Sequence, residues 1–230
     1  MATNRRERLR EATMNEIRAA ALAQLSTGGP SAISLRAIAR DMGLTAAALY
    51  RYYDSLESLT EDLCADRYRS MTRSVVAARD AQTDCVSRLR AMCLAYREWA
   101  LSHPQEYALI CGAPVLLTGD TPQEGPAVEK MEAAVDFTLA FLGPFAEAWA
   151  GRRTPPPALL PGVLESLDGV VVELLTDKLP PEGIVYFVNG WARLSGAITT
   201  EIFGHLRWAA SDAEPLFREN LEDMLRQLTA

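Results

Sequence analysis

The sequence predicts an all-α protein in two parts, a small N-terminal helical domain over residues 1–54 and a larger one over residues 55–230. Two observations carry the fold class. Apolar residues recur at three- and four-residue spacing along most of the chain, and no long alternating β-branched run lies between turn signals. Glycine and proline clusters interrupt that pattern at intervals of helix length. A third observation divides the chain. Residues 1–53 hold eight arginines, no lysine and four acids, so this segment is basic although the 230-residue whole carries a net charge of -7.

The elements follow in order. A first helix is expected over residues 5–25, with Ile17, Ala21 and Leu25 on one stripe, stopped by Ser26-Thr27-Gly28-Gly29-Pro30. Ser34 is placed to cap a short second helix from Leu35, because its hydroxyl can accept from a free N–H of the first turn. Gly43 ends that helix, and Thr45 caps a third over residues 46–52. Asp54 and Ser55 open a fourth, over 55–78, with Leu56, Leu59 and Leu63 inward. Further helices are expected at 84–101, 107–111, 127–150, 158–176, 183–208 and 212–228, with a loop over 112–126.

Composition excludes several classes. With 49% hydrophobic and 23% charged residues the chain is ordinary for a globular protein. No apolar run reaches 18 residues, and the charged first ten residues lead into no apolar segment, so neither a membrane span nor a signal peptide is expected. Four cysteines without CxxC spacing, and only two histidines, argue against a metal site or a disulfide framework and for free thiols in a reducing cytoplasm. No GxSxG, HExxH, P-loop or GxGxxG is present, so no enzyme activity and no cofactor are expected.

The sharpest motif is Ile38-Ala39-Arg40-Asp41-Met42-Gly43-Leu44, followed by Leu49 and Tyr52. A helix-turn-helix needs a small residue where its helices touch, a residue tolerant of positive φ in the turn, and apolar side chains locking the second helix on the first. Ala39, Gly43 and the set Ile38, Met42, Leu44 and Leu49 meet those needs in turn. A solvated pair of short helices would share part of the pattern, but the motif falls inside the basic segment.

Residues 12–63 resemble the DNA-binding domain of the TetR family of transcriptional regulators. The match is carried by Ser34-Leu35-Arg36-Ala37-Ile38-Ala39, by Gly43-Leu44, and by Leu49-Tyr50-Arg51-Tyr52-Tyr53-Asp54-Ser55 with Leu59. The C-terminal part more weakly resembles the WHG-type regulatory domain, through His103-Pro104 before Tyr107 and through Trp191 and Gly196 ahead of Phe203-Gly204-His205-Leu206; Ser195 stands where that type has a histidine.

The resemblance implies a DNA-binding head followed by a ligand-binding and dimerisation domain. It implies contacts to a double-stranded operator from Ser34, Arg36, Thr45, Ala46, Ala48, Tyr50 and Arg51. The hydroxyls of Ser34 and Thr45 suit phosphate oxygens, Arg36 a phosphate or guanine edge, and Tyr50 the backbone. Ala46, Ala47 and Ala48 offer only apolar contact, so base readout is expected to be sparse, with DNA shape adding to it. Leu56 replaces the lysine usual near the start of the fourth helix. The arginines at 5, 6, 8 and 10 are expected as general phosphate anchors.

The resemblance further implies a homodimer through the last two helices, using Ile184, Val188, Trp191, Ser195, Ile198 and Ile202, widened by Phe187, Leu194 and Phe203, with Phe217, Leu221, Met224 and Leu228. A central cavity walled by Trp99, Tyr107, Phe137, Phe141, Leu167, Val171 and Leu174 would take a small apolar or amphipathic effector. A ligand-responsive repressor is the expected function. The competing reading is a helical protein-interaction module with weakened DNA binding, suggested by the alanine-rich third helix and by Leu56.

Overall fold

The computed structural model describes residues 2–112 and 124–230, and every described regular element is helical. Eleven α-helices follow in order: α1 Ala2–Gly28, α2 Leu35–Asp41, α3 Ala46–Leu49, α4 Leu56–Asp80, α5 Cys85–Ser102, α6 Pro104–Gly112, α7 Pro126–Leu139, α8 Leu142–Ala150, α9 Gly169–Thr176, α10 Pro181–Ile202 and α11 Glu214–Thr229. Most of the loop expected over 112–126 lies outside the described residues.

Two compact units result. The first joins residues 2–69 to α6 and the start of α7. Its core is built from Ile17, Ala21 and Leu25 of α1, Leu35, Ile38 and Ala39 of α2, Leu49 and Tyr53, and Leu59 and Leu63 of α4, with Leu109 of α6 against them. Each fully buried leucine or isoleucine contributes about 1.5–3 kcal/mol by leaving water. The expected boundary at residue 54 therefore falls inside this unit. The second unit holds residues 70–102 and 135–230, so that α5, α8, α9, α10 and α11 lie wholly within it.

Local chemistry explains the ends of the helices. The Gly29 N–H donates to the Leu25 carbonyl at 2.8 Å with Gly29 at φ 73°, and Pro30 then prevents continuation. At the start of α5 the Ser87 N–H donates to the Asp84 carboxylate at 2.9 Å, which holds that carboxyl below its usual range.

Three expected helix boundaries and one expected orientation are corrected. The helix expected over 127–150 is two, α7 and α8, because Pro144 has no N–H to give the Ala140 carbonyl and its ring crowds that group. The helix expected over 158–176 is only α9. Gly162, at φ 80°, breaks the earlier part into turns, and the Asp168 carboxylate restarts the helix by accepting from Val170 N–H at 2.9 Å. The helix expected to reach residue 208 ends at Ile202. Gly204 stands at φ 70° and the His205 N–H returns to the Thr200 carbonyl at 2.8 Å, a left-handed glycine cap. Leu56, expected inward, is 44% exposed, since it opens the first turn of α4 ahead of the buried Leu59 and Leu63.

Candidate nucleic-acid interface and effector cavity

The geometry of the first unit is that of a helix-turn-helix. Ser34 Oγ accepts from Ala37 N–H at 3.4 Å and Thr45 Oγ1 accepts from Ala48 N–H at 3.1 Å, so both predicted caps open their helices. Between them Gly43 takes φ 68°, and the Leu44 N–H donates to the Ala39 carbonyl at 2.8 Å. A hydroxyl that accepts in this way keeps its own proton to donate outward.

Side chains sort by exposure. Arg36, Thr45, Ala46, Tyr50 and Arg51 are exposed, whereas Ser34 and Ala48 are half-buried. Tyr50 is 46% exposed, while Leu49 before it and Tyr53 three residues on are buried. Arg10 is more than a loose anchor. Its guanidinium lies 5.3 Å from the Tyr52 ring centroid and donates to the Arg51 carbonyl at 3.4 Å, so the start of α1 is held against the end of the helix-turn-helix.

One buried polar cluster in this unit escaped sequence reading. The Asp62 carboxylate of α4, 4% exposed, accepts from Arg18 Nε of α1 at 2.7 Å. The same oxygen accepts the Tyr53 hydroxyl. Burial, and then the bond to Asp62, pushes the Tyr53 phenol above its ordinary value. No local signal marks the partners, because Arg18 and Asp62 are 44 residues apart.

In the second unit, several aromatic side chains of the expected wall pack on one another. Phe137 meets Tyr96 and Phe141 edge-on at 5.0 and 5.7 Å between centroids, and Trp191 lies 5.5 Å from Phe137 and 5.6 Å from Phe141. Trp99 is buried and donates Nε1–H to Ser70 Oγ at 3.3 Å. Tyr107 belongs to the first unit, where it is buried. Leu167 and Val171 are half-buried and Leu174 is 42% exposed, because α9 is short and presents much of its apolar surface outward.

A cavity of about 510 Å³ does exist in this unit, between α5, α8, α10 and α11. Of the seven predicted wall residues it takes only Phe141. Its apolar walls include Leu89, Phe145, Trp191 and Met224, and Asn189, Arg193 and Gln227 supply polar groups. Gly190 also lines it. A side chain there would grow toward Met224, whose Cε lies 3.7 Å from the position of an added Cβ. The Arg193 guanidinium is held by α11 through Asn220 at 2.9 Å, Asp223 at 2.8 Å and Gln227 at 3.0 Å. Its charge is thereby partnered, and a neutral or amphipathic occupant suits the cavity better than a strong anion.

Most of the apolar stripe expected to meet a partner chain is used internally. Ile184, Phe187, Leu194, Ile198, Phe217, Leu221 and Leu228 are buried within the chain, while Val188, Trp191, Ser195, Ile202 and Met224 are half-buried. Asn189, Ala192, Gly196 and Phe203 of this region stay exposed. Among the described residues no group of side chains could hold a metal ion, and no helix is long and apolar enough to cross a membrane.

Comparison with known proteins agrees with this architecture. A family model described as bacterial regulatory proteins, tetR family, matches residues 17–63. A second, described as tetracyclin repressor-like, C-terminal domain, matches residues 89–224, more than half of the chain. The HTH-type transcriptional regulator Rv1816 of Mycobacterium tuberculosis is 34% identical over 187 residues, which span 79% of this chain and 76% of that one. Among solved structures, SCO4313 is 30% identical, with a TM-score of 0.69 and coverage of 96% of this chain and 98% of its own. A protein with unknown function from Rhodococcus sp. RHA1 shares the fold at 19% identity, with a TM-score of 0.64 and coverage of 94% and 95%.

Proposed function

The chain belongs to the TetR family and is a DNA-binding transcriptional regulator, and from that premise we propose that it is a cytoplasmic, non-enzymatic repressor released from its operator by a small apolar or amphipathic molecule. The observation that carries the DNA half of this reading is the pair of capped helices α2 and α3, set by the Gly43 turn inside the basic N-terminal segment. Residues 1–54 contact DNA. Arg36, Thr45, Tyr50 and Arg51 reach the duplex from exposed positions, with Ser34 at the cap of α2. Ala46 and Ala48 lie against it without hydrogen bonds of their own to bases.

Residues 55–230 bind the effector and form the dimer. One head buries too little surface for tight and specific binding, so two copies sit on a palindrome with recognition helices about 34–36 Å apart. The dimer forms through α10 and α11, and the exposed Asn189, Ala192, Gly196 and Phe203 face the partner. The effector occupies the cavity bounded by Phe141, Trp191 and Met224. It favours a dimer whose heads no longer match successive major grooves.

Hydroxyl-radical footprinting on a fragment retained from genomic DNA tests this reading. The expected pattern is two symmetric protected patches about one helical turn apart, the spacing a dimer requires. Arg36→Ala and Tyr50→Phe should each weaken operator binding about tenfold, the scale of one good contact. A single asymmetric patch, or variants that bind like the parent, would refute the assignment.

A further inference from the structure

The third helix is only four residues long, Ala46–Leu49, and a helix of that length cannot hold itself in place. Its pose must be set by what its flanking residues touch. On the N-terminal side that is the Gly43 turn and the Thr45 cap. On the C-terminal side the Tyr53 N–H makes a final helical bond to the Leu49 carbonyl at 3.2 Å, and the Tyr53 side chain then runs into the core, 1% exposed. There its hydroxyl finds the Asp62 carboxylate, whose charge is balanced by Arg18 at 2.7 Å. Arg18 is oriented in turn by Asn15, whose Oδ1 accepts from it at 2.6 Å.

We infer that Arg18, Asp62 and Tyr53 are positioning residues for DNA recognition: the triad fixes the recognition helix against α1 and α4, and so sets the register in which α3 meets base pairs. The geometry favours this over a simple stabilising role in two ways. An apolar pair would fill the same volume without the cost of desolvating a carboxylate, so the charge is an expensive way to gain stability. A hydrogen bond to an ionised acceptor is also directional. It fixes where the Tyr53 hydroxyl sits relative to α1 and α4, a point constraint that apolar packing does not add. Because Asp62 stands on α4, a shift of that helix by a fraction of a hydrogen-bond length changes the seat of Tyr53, and with it the end of α3. None of the three touches DNA; they act through the exposed residues of α3.

This inference rests on the DNA-binding reading of the head, and its test separates the two. The full-length protein is titrated with the genomic fragment it retains most tightly and with a shuffled duplex of the same length, well below its melting temperature. The preference of the unaltered chain reports on the DNA reading. The change of that preference in variants reports on the triad. Tyr53→Phe keeps the ring and removes one oxygen, so the core stays filled. It should reduce the specific-to-shuffled affinity ratio about tenfold while leaving shuffled-duplex affinity and its salt slope unchanged, since phosphate contacts need no register. Tyr53→Phe combined with Asp62→Asn should lose little more than Asp62→Asn alone, as coupled residues do. Amide exchange gives an independent reading: the backbone amides at positions 52 and 53 should exchange faster in Tyr53→Phe than in the parent, with Leu44 unaffected. A ratio equal to the parent's overturns the inference. So does an equal fall in both affinities, which is the signature of a smaller folded fraction.

Discussion

The backbone N–H of Leu44 donates to the carbonyl of Ala39 at 2.8 Å, and that bond turns the chain from α2 into α3. It can form only because Gly43, between them, takes φ 68°. Beyond its two chain neighbours, nothing lies within 4 Å of where a side chain on Gly43 would begin, so the requirement is one of backbone conformation and not of space.

Replacing this glycine therefore isolates conformational strain. Gly43→Ala should lower stability by about 1–2 kcal/mol, the cost of a left-handed L-residue. Urea unfolding followed by circular dichroism measures it. An unchanged midpoint would mean that the turn relaxes to another conformation.

The ion pair between α5 and α10, with Arg97 buried and Glu201 half-buried, gives a second prediction. Arg97 donates to Glu201 through Nε at 2.7 Å and Nη2 at 2.6 Å, and its guanidinium also lies 5.3 Å from the Phe217 ring centroid. Arg97→Met alone should cost about 1.5–3 kcal/mol, because the half-buried Glu201 carboxylate loses both bonds to its partner. Adding Glu201→Leu should restore most of that loss, and thermal melting of the single and double variants decides it.

Legibility from sequence followed the range of the interactions. The caps at Ser34 and Thr45 and the stop at Gly43 depend on neighbours within five residues, so they could be read directly. Pro144, Gly162 and Gly204 are equally local, yet the apolar spacing continues through each of them and the longer pattern concealed the break. Arg18 with Asp62, and Phe141 with Trp191, are pairings across the fold, and nothing beside those residues announces the partner. The same distance explains the wall residues. An aromatic at helical spacing can line a space or fill one: here Phe137 packs against Trp191 away from the cavity lining, whereas Phe141 both packs against Trp191 and lines the cavity.

Alkaline pH should act through Tyr53. Burial and the bond to Asp62 raise its value in the folded chain, so the fold favours the neutral phenol. An unfolded tyrosine ionises near pH 10. The contribution of Tyr53 is then fully present below that point and is lost as pH rises beyond it. Urea midpoints between about pH 8 and 11 should fall more steeply for the parent than for Tyr53→Phe. Parallel curves would contradict the assignment.

The thiols should react in two classes. Burial pushes Cys64 up to about 11 and Cys93 up to about 12, and both side chains are enclosed, so neither offers a thiolate near neutral pH. Cys111 is exposed and Cys85 half-buried. A maleimide at pH 7 should modify Cys111 first and Cys85 next, with Cys64 and Cys93 labelled only on unfolding. Mass spectrometry of the labelled peptides measures the order, and early labelling of Cys93 would contradict the packing around α5.

The central claim is that a basic helix-turn-helix head on an otherwise acidic chain makes this protein a sequence-reading regulator. Fluorescence anisotropy of the full chain on labelled genomic fragments, repeated from about 50 to 200 mM salt, tests it most directly. The account predicts a strong preference for particular fragments and a steep linear fall of log affinity with log salt, as several phosphates release their counterions. Equal weak binding to every fragment with a flat salt dependence would contradict it, and is the behaviour of a helical interaction module.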